Sequence, residues 1–196
     1  MTLNEEELLF CVRGALDFID SFEPLYSLPV STQRLAEKLG AVPCPFSFLI
    51  KGGIMPAKLV SCFGTRDGIA MLDNGVRRIF YNDAMPLNRI RFTLCEELMH
   101  HHLGHTQNPA FDPMAQSYTD EEYERCEQQA RCGACLVLCP PALYFRNTLE
   151  LRQIMRTCGV SESCALNIRR FYEQNGDLIR RELAGRRQLN AYYTVR

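Results

Sequence analysis

A chain of 196 residues with 46% hydrophobic content is long enough to bury one sizeable core. Its 22 basic and 23 acidic side chains leave a net charge of -1, a balance with no overall bias toward a nucleic-acid or membrane surface. The opening residues, Met1-Thr2-Leu3-Asn4-Glu5-Glu6-Glu7, are acidic where a signal peptide would be basic. No apolar run nears the roughly 18 residues of a membrane span. A cytoplasmic protein without membrane contact is therefore expected, with its ten cysteines reduced and mostly packed in the core.

Along the chain, Thr2 and Glu5 have capping-box spacing, and Leu8, Val12, Ala15, Leu16 and Ile19 recur at helical intervals, which predicts a helix over 4–22. Ser31 to Leu39 reads as a second helix, closed by Gly40. Residues 46–51, 58–63, 69–73 and 76–82 are short and rich in β-branched and aromatic side chains. The last two are joined by Asn74-Gly75, so a small antiparallel sheet is expected. A helix from Arg91 to His105 follows, terminating near Gly104, and then a loop over 106–118. Thr119 and Glu122 again have capping-box spacing, opening a helix that stops at Pro140-Pro141. Leu149 to Cys158 predicts a helix, and Ser161 caps another reaching Asn175-Gly176, with a short helical tail beyond.

The densest chemistry lies in Cys95-Glu96-Glu97-Leu98-Met99-His100-His101-His102-Leu103-Gly104-His105, which holds all four histidines beside two adjacent carboxylates. In His-Glu-x-x-His, two histidines four apart bind zinc from one helical face, and the glutamate acts as general base on the metal-bound water. Here Glu96 stands at the first histidine position. Glu96 and His100 lie about 40° apart around a helix and can reach one point, with Glu97 roughly 100° from Glu96 on the flank. Without a cation, the repulsion between Glu96 and Glu97 favours protonating one of them, or pairing one with a base such as Arg89 or Arg91. His101, His102 and His105 read as histidines favoured by the dipole of a helix C-terminus.

The run Arg91-Phe92-Thr93-Leu94-Cys95-Glu96-Glu97-Leu98-Met99-His100 with Leu103-Gly104-His105, followed by a helix ending in Leu138-Cys139-Pro140, resembles the ImmA/IrrE-type metallopeptidases. Those proteins typically read Arg-Phe-Thr-Leu-Ala-His-Glu-Leu-Gly-His and carry Glu-Ala-Asn-x-Phe-Ala leading into Leu-Met-Pro. The resemblance covers roughly residues 31–172 of a single domain spanning 1–196, with 173–196 as a helical tail. It implies an α+β fold of the minimal zincin type, a small antiparallel sheet packed on a motif helix and its partner helix, with further helices at both ends. It assigns the general-base position to Glu97 and the metal positions to Glu96, His100 and Gln129, so that two of three ligands differ from the family pattern. Glu127, two residues and about 200° from Gln129, could replace it only if the helix were rotated or shifted in register.

A carboxamide brings no charge to a metal, so zinc or another divalent ion is expected to bind weakly or not at all. Restoring Glu96→His with Gln129→Glu should then raise zinc affinity by several orders of magnitude. The first reading is a non-catalytic or weakly active regulatory protein, a pseudoenzyme that binds a protein segment, such as a helix-turn-helix repressor, in transcription regulation on a mobile element. The second is an active endopeptidase that cleaves such a repressor. A third uses Gly159-Val160-Ser161 and the arginines at 169–170, 180–181 and 186–187 for DNA, although nucleic acid is the less expected partner. Cys132, Cys135 and Cys139, with Cys126 as a fourth candidate ligand, invite a metal or iron-sulfur reading, but 132, 135 and 139 recur at helical intervals as one apolar stripe and read as core.

Overall fold

The computed structural model describes residues 3–22, 27–65, 67–107, 120–147, 149–184 and 186. It has the expected α+β architecture, a small sheet embedded among helices. Helix α1 (Glu5–Asp20) starts at Asn4, whose side chain accepts from the Glu7 amide while the Glu7 carboxylate accepts from the Asn4 amide. The capping box is thus Asn4 with Glu7, two residues later than the Thr2–Glu5 spacing suggested. Helix α2 (Thr32–Leu39) is capped by Ser31 and ends on Gly40, whose φ of 68° needs a residue without Cβ strain.

The next segment departs from expectation. Strand β1 (Ala41–Pro45) precedes two short helices, α3 (Phe46–Lys51) and α4 (Pro56–Phe63), which occupy the segments expected as strands at 46–51 and 58–63. Short apolar runs do not by themselves distinguish helix from strand. Here Pro56 at the first turn opens α4 and left-handed Gly64 closes it. Leu59 and Phe63, four apart, share an inner face, and Phe63 stacks between Phe46 and Phe80 at centroid distances of 5.8 and 5.1 Å.

Strands β2 (Gly68–Asp73) and β3 (Val76–Tyr81) form the expected hairpin, with Asn74 and Gly75 both at positive φ. The sheet order is β1-β3-β2, with β1 parallel to β3, so the sheet is mixed rather than antiparallel throughout.

Helix α5 (Leu87–His102) carries the histidine motif and packs on β2, β3 and α6 (Asp120–Leu138). It begins four residues before Arg91, directly after Pro86. The Thr119–Glu122 cap and most of the 106–118 loop lie outside the described residues. Helix α7 (Pro141–Asn147) was not expected; Pro141 sits at its first position, where the missing amide costs nothing. Helix α8 (Leu151–Cys158) is capped by Glu150 with Gln153 and ends at left-handed Gly159, whose carbonyl accepts from Arg91.

Helix α9 (Glu162–Ala184) continues through Asn175-Gly176 instead of stopping there. Asn175 Nδ2 donates back to the Phe171 carbonyl, and Gly176 is buried beside the Phe145 ring. One apolar core joins α1, α5, α6, α8 and α9, with Leu16, Leu98, Leu136 and Ile168 fully buried. All ten cysteines are free thiols, and Cys135 and Cys139 belong to this core. No helix among the described residues is long and apolar enough to cross a membrane.

Candidate metal-motif cleft

Helices α5 and α6 cross closely where Met99 meets Gly133, and this crossing brings their polar faces together beside β2. A Cβ at Gly133 would lie 2.7 Å from Met99 Cε and 3.1 Å from Met99 Cγ. On the α5 side, Glu97 and His100 are buried, and the Glu96 side chain is 13% exposed. On the α6 side, Tyr123, Glu127 and Arg131 recur every four residues and so share one face.

Beyond α5, left-handed Gly104 turns the chain into a 3-10 turn at His105–Gln107. His105 is thereby carried back under His100, with their Nδ1 atoms 3.2 Å apart, and His105 Nε2 lies 3.0 Å from Gln129 Oε1. The amide oxygen can only accept, so His105 holds its proton on Nε2. Its Nδ1 then accepts from His100 Nδ1–H. On the other side of the ring, His100 Nε2 stands 3.5 Å from Glu127 Oε1. That separation is long for a hydrogen bond, but it is close to the about 3.3 Å between two donors on a tetrahedral ion with bonds near 2.05 Å.

The α6 side chain facing His100 is therefore Glu127, while Gln129 contacts His105 one ring away. Glu127 and Gln129 thus both reach the His100–His105 pair. Arg131 lies across the two carboxylates, 3.0 Å from Glu96 and 3.6 Å from Glu127. Neither basic residue anticipated as a partner for Glu96 or Glu97 serves there: Arg89 pairs with Asp67, and Arg91 reaches Gly159. Among the described residues, no three His, Cys, Asp or Glu side chains converge in a group that could hold a metal ion.

Burial sets the protonation states. It raises the Glu97 carboxyl well above the usual range, and the charges of Glu96 and Glu127 raise it further, although the Ala70 amide donates to it. Glu96 is pushed up to about 7 by burial in spite of Arg131. His100 is lowered well below its ordinary value by burial and by His105, and His105 falls to about 4, again through burial.

The other histidines are also structural. His101 bridges Thr106 Oγ1 and the Arg78 carbonyl, while His102 reaches the Gly14 carbonyl and meets the Phe18 ring edge-on. Burial lowers both, which corrects the expectation of partly positive histidines gathered by a helix dipole. Arg131 and His105 were missed as members of the cleft, and Glu127 was foreseen there only for a rotated or shifted helix. The 123–127–131 spacing and the Leu-Gly-His sequence held the only hints.

The model of the IrrE N-terminal-like domain matches residues 63–167, more than half of the chain and the whole of the cleft. The chain belongs to this family. No curated protein matches it. The match spans α5 and α6 and runs on to Asn167 in α9, so the resemblance of the motif run to the ImmA/IrrE-type proteins extends to their metallopeptidase domain.

A pH-dependent stability difference follows from Glu97. Its folded-state pKa is raised above the unfolded value, so its contribution is fully present below the unfolded pKa of about 4.3 and is lost as pH rises toward the folded value. Glu97→Gln keeps an acceptor for the Ala70 amide and removes the titration. Its stability relative to wild type is therefore expected to rise between pH 5 and pH 8, as the wild-type protein loses the contribution of the raised Glu97 carboxyl. Urea unfolding of both proteins at the two pH values measures it, and a pH-independent gap would show that Glu97 is ionised in the fold.

Proposed function

We propose that this protein is a regulatory, non-catalytic member of the IrrE N-terminal-like family. In this reading it holds a protein segment, such as part of a helix-turn-helix repressor, against the cleft without hydrolysing it, and acts in transcription regulation. The observation that carries the reading is Arg131 spanning Glu96 and Glu127. A fixed cation on both carboxylates opposes a dication beside them, and Gln129, at the family's carboxylate position, is engaged by His105. The donor set does not fit zinc in this arrangement. Burial raises the Glu97 carboxyl well above its usual range, which disfavours the charged form that would take a proton from water.

One observation favours the endopeptidase reading. His100 Nε2 and Glu127 Oε1 have the spacing of two ligands on one ion. Metal analysis of full-length protein purified without chelator, together with incubation on denatured casein in the presence of zinc or manganese, separates the readings. Sub-stoichiometric metal and no cleavage are expected. One equivalent of metal, with cleavage abolished in Glu97→Gln, would establish an enzyme.

Four of the arginines behind the DNA reading are held by carboxylates, while Arg170 is exposed and Arg187 lies outside the described residues. Arg169 pairs with Glu173, Arg180 with Asp177, Arg181 with Glu5, and Arg186 with Asp17 and Asp20. Arginines held by carboxylates are less available to phosphates.

A further inference from the structure

We infer that Arg131 is the resident cation of this cleft, and that its removal converts Glu96, His100 and Glu127 into a binding site for a divalent metal. The inference rests on the non-catalytic reading and deepens it by naming the residue that keeps the metal out.

Exposure in the cleft is graded. The Arg131 side chain is 53% exposed, Glu127 25%, Glu96 13% and His100 2%. The guanidinium thus lies at the mouth, with the carboxylates beneath it and the imidazole at the bottom. A cation entering from solvent meets Arg131 before it meets a ligand.

The three groups under that plug are donors of the right kinds. Glu96 and Glu127 supply anionic oxygens. His100 supplies an imidazole whose ring is oriented through His105 by Gln129, the same outer support that orients a metal-binding imidazole elsewhere. His100 and Glu127 already stand at donor–donor spacing, whereas Glu96 is drawn to the guanidinium at 3.0 Å. Freed from Arg131, Glu96 is on the face of α5 that carries His100 one turn later, within reach of the same point. Two carboxylates and one imidazole suit manganese as well as zinc.

Arg131 also neutralises the cluster. Without it, Glu96 and Glu127 are left with no cation beside them in a largely buried place, and a metal becomes the means of compensating them. Loss of the arginine and gain of the ion should therefore be visible as one linked effect.

The test compares full-length wild type, Arg131→Met and Arg131→Lys by calorimetric titration with zinc and with manganese, and by thermal unfolding with and without each ion. Arg131→Met is expected to bind one equivalent at least about 100-fold more tightly than wild type, and to unfold at a lower temperature that the ion restores. Arg131→Lys keeps the charge and should behave as wild type. If Arg131→Met fails to fold alone, recovery on adding either ion supports the inference, and failure to recover overturns it. Affinity no tighter than wild type in a folded Arg131→Met also overturns it, while leaving the non-catalytic reading intact. Casein hydrolysis by the wild type would sink that reading whatever Arg131→Met does.

Discussion

Replacing Glu96 by histidine is expected to raise zinc affinity by about three orders of magnitude, because an imidazole replaces the carboxylate that anchors Arg131 and gives zinc a second nitrogen donor. The third ligand in that variant should be Glu127, whose oxygen already stands 3.5 Å from His100 Nε2. Adding Glu127→Gln should cancel most of the gain. Adding Gln129→Glu should change affinity by only a few fold, since residue 129 serves His105 and touches the metal position only through two rings. Calorimetry on the single variant and the two doubles ranks the contributions. The reverse ranking, with Gln129→Glu decisive, would mean that α6 sits in the register implied by family resemblance rather than the one described.

The second large effect concerns the helix crossing that builds the cleft. Gly133→Leu should destabilise the protein by about 3 kcal/mol or more, because a bulky side chain must enter a space already filled by fully buried Met99. Gly133→Ala should be much milder. There the gain in helix propensity, about 1 kcal/mol, offsets a clash that a flexible methionine end can partly relieve. Forcing α5 and α6 apart also separates Glu127 and Arg131 from Glu96 and His100. Gly133→Leu should therefore alter the cleft even where the protein remains folded, and amide exchange at residues 96–100 would report it. A folded Gly133→Leu protein with wild-type stability would show that the helices cross elsewhere.

The same contact explains what could and could not be read from the sequence. Glu97 and His100 were legible because their relation is internal to one helix and fixed by its periodicity. The pairing of His100 with Glu127 depends on how α6 is rotated against α5. That rotation is set by Gly133 against Met99, a contact between residues 34 positions apart in the chain. Carrying the ligand position to Gln129 by counting back from Pro140 supplies a residue number but no rotation. Arg131 escaped notice because a basic residue on an amphipathic helix is ordinarily solvated, and its role appears only when Glu96 is placed opposite.

In the sheet, the Asn74-Gly75 turn identified one hairpin through its requirement for two positive φ angles. Strand β1 was hidden by Pro43 and Pro45, which argue against a strand until the strand is known to lie at an edge. The helices at 46–51 and 58–63 were lost because a short run of apolar residues satisfies either period.

Those prolines have a counterpart across the sheet. Pro43 and Pro45 share one side of β1 and bring no amide hydrogen to it. On the opposite edge, β2 turns Ala70 away from β3, and the Ala70 amide is taken by Glu97. Backbone docking of a foreign strand, which holds peptides with little regard for their sequence, is thus interrupted on both flanks. Glu97, holding the Ala70 amide, acts as a stopper on the sheet's open border. A segment retained by this protein would have to be chosen by its side chains, and such a mode of capture favours a narrow clientele over a broad one.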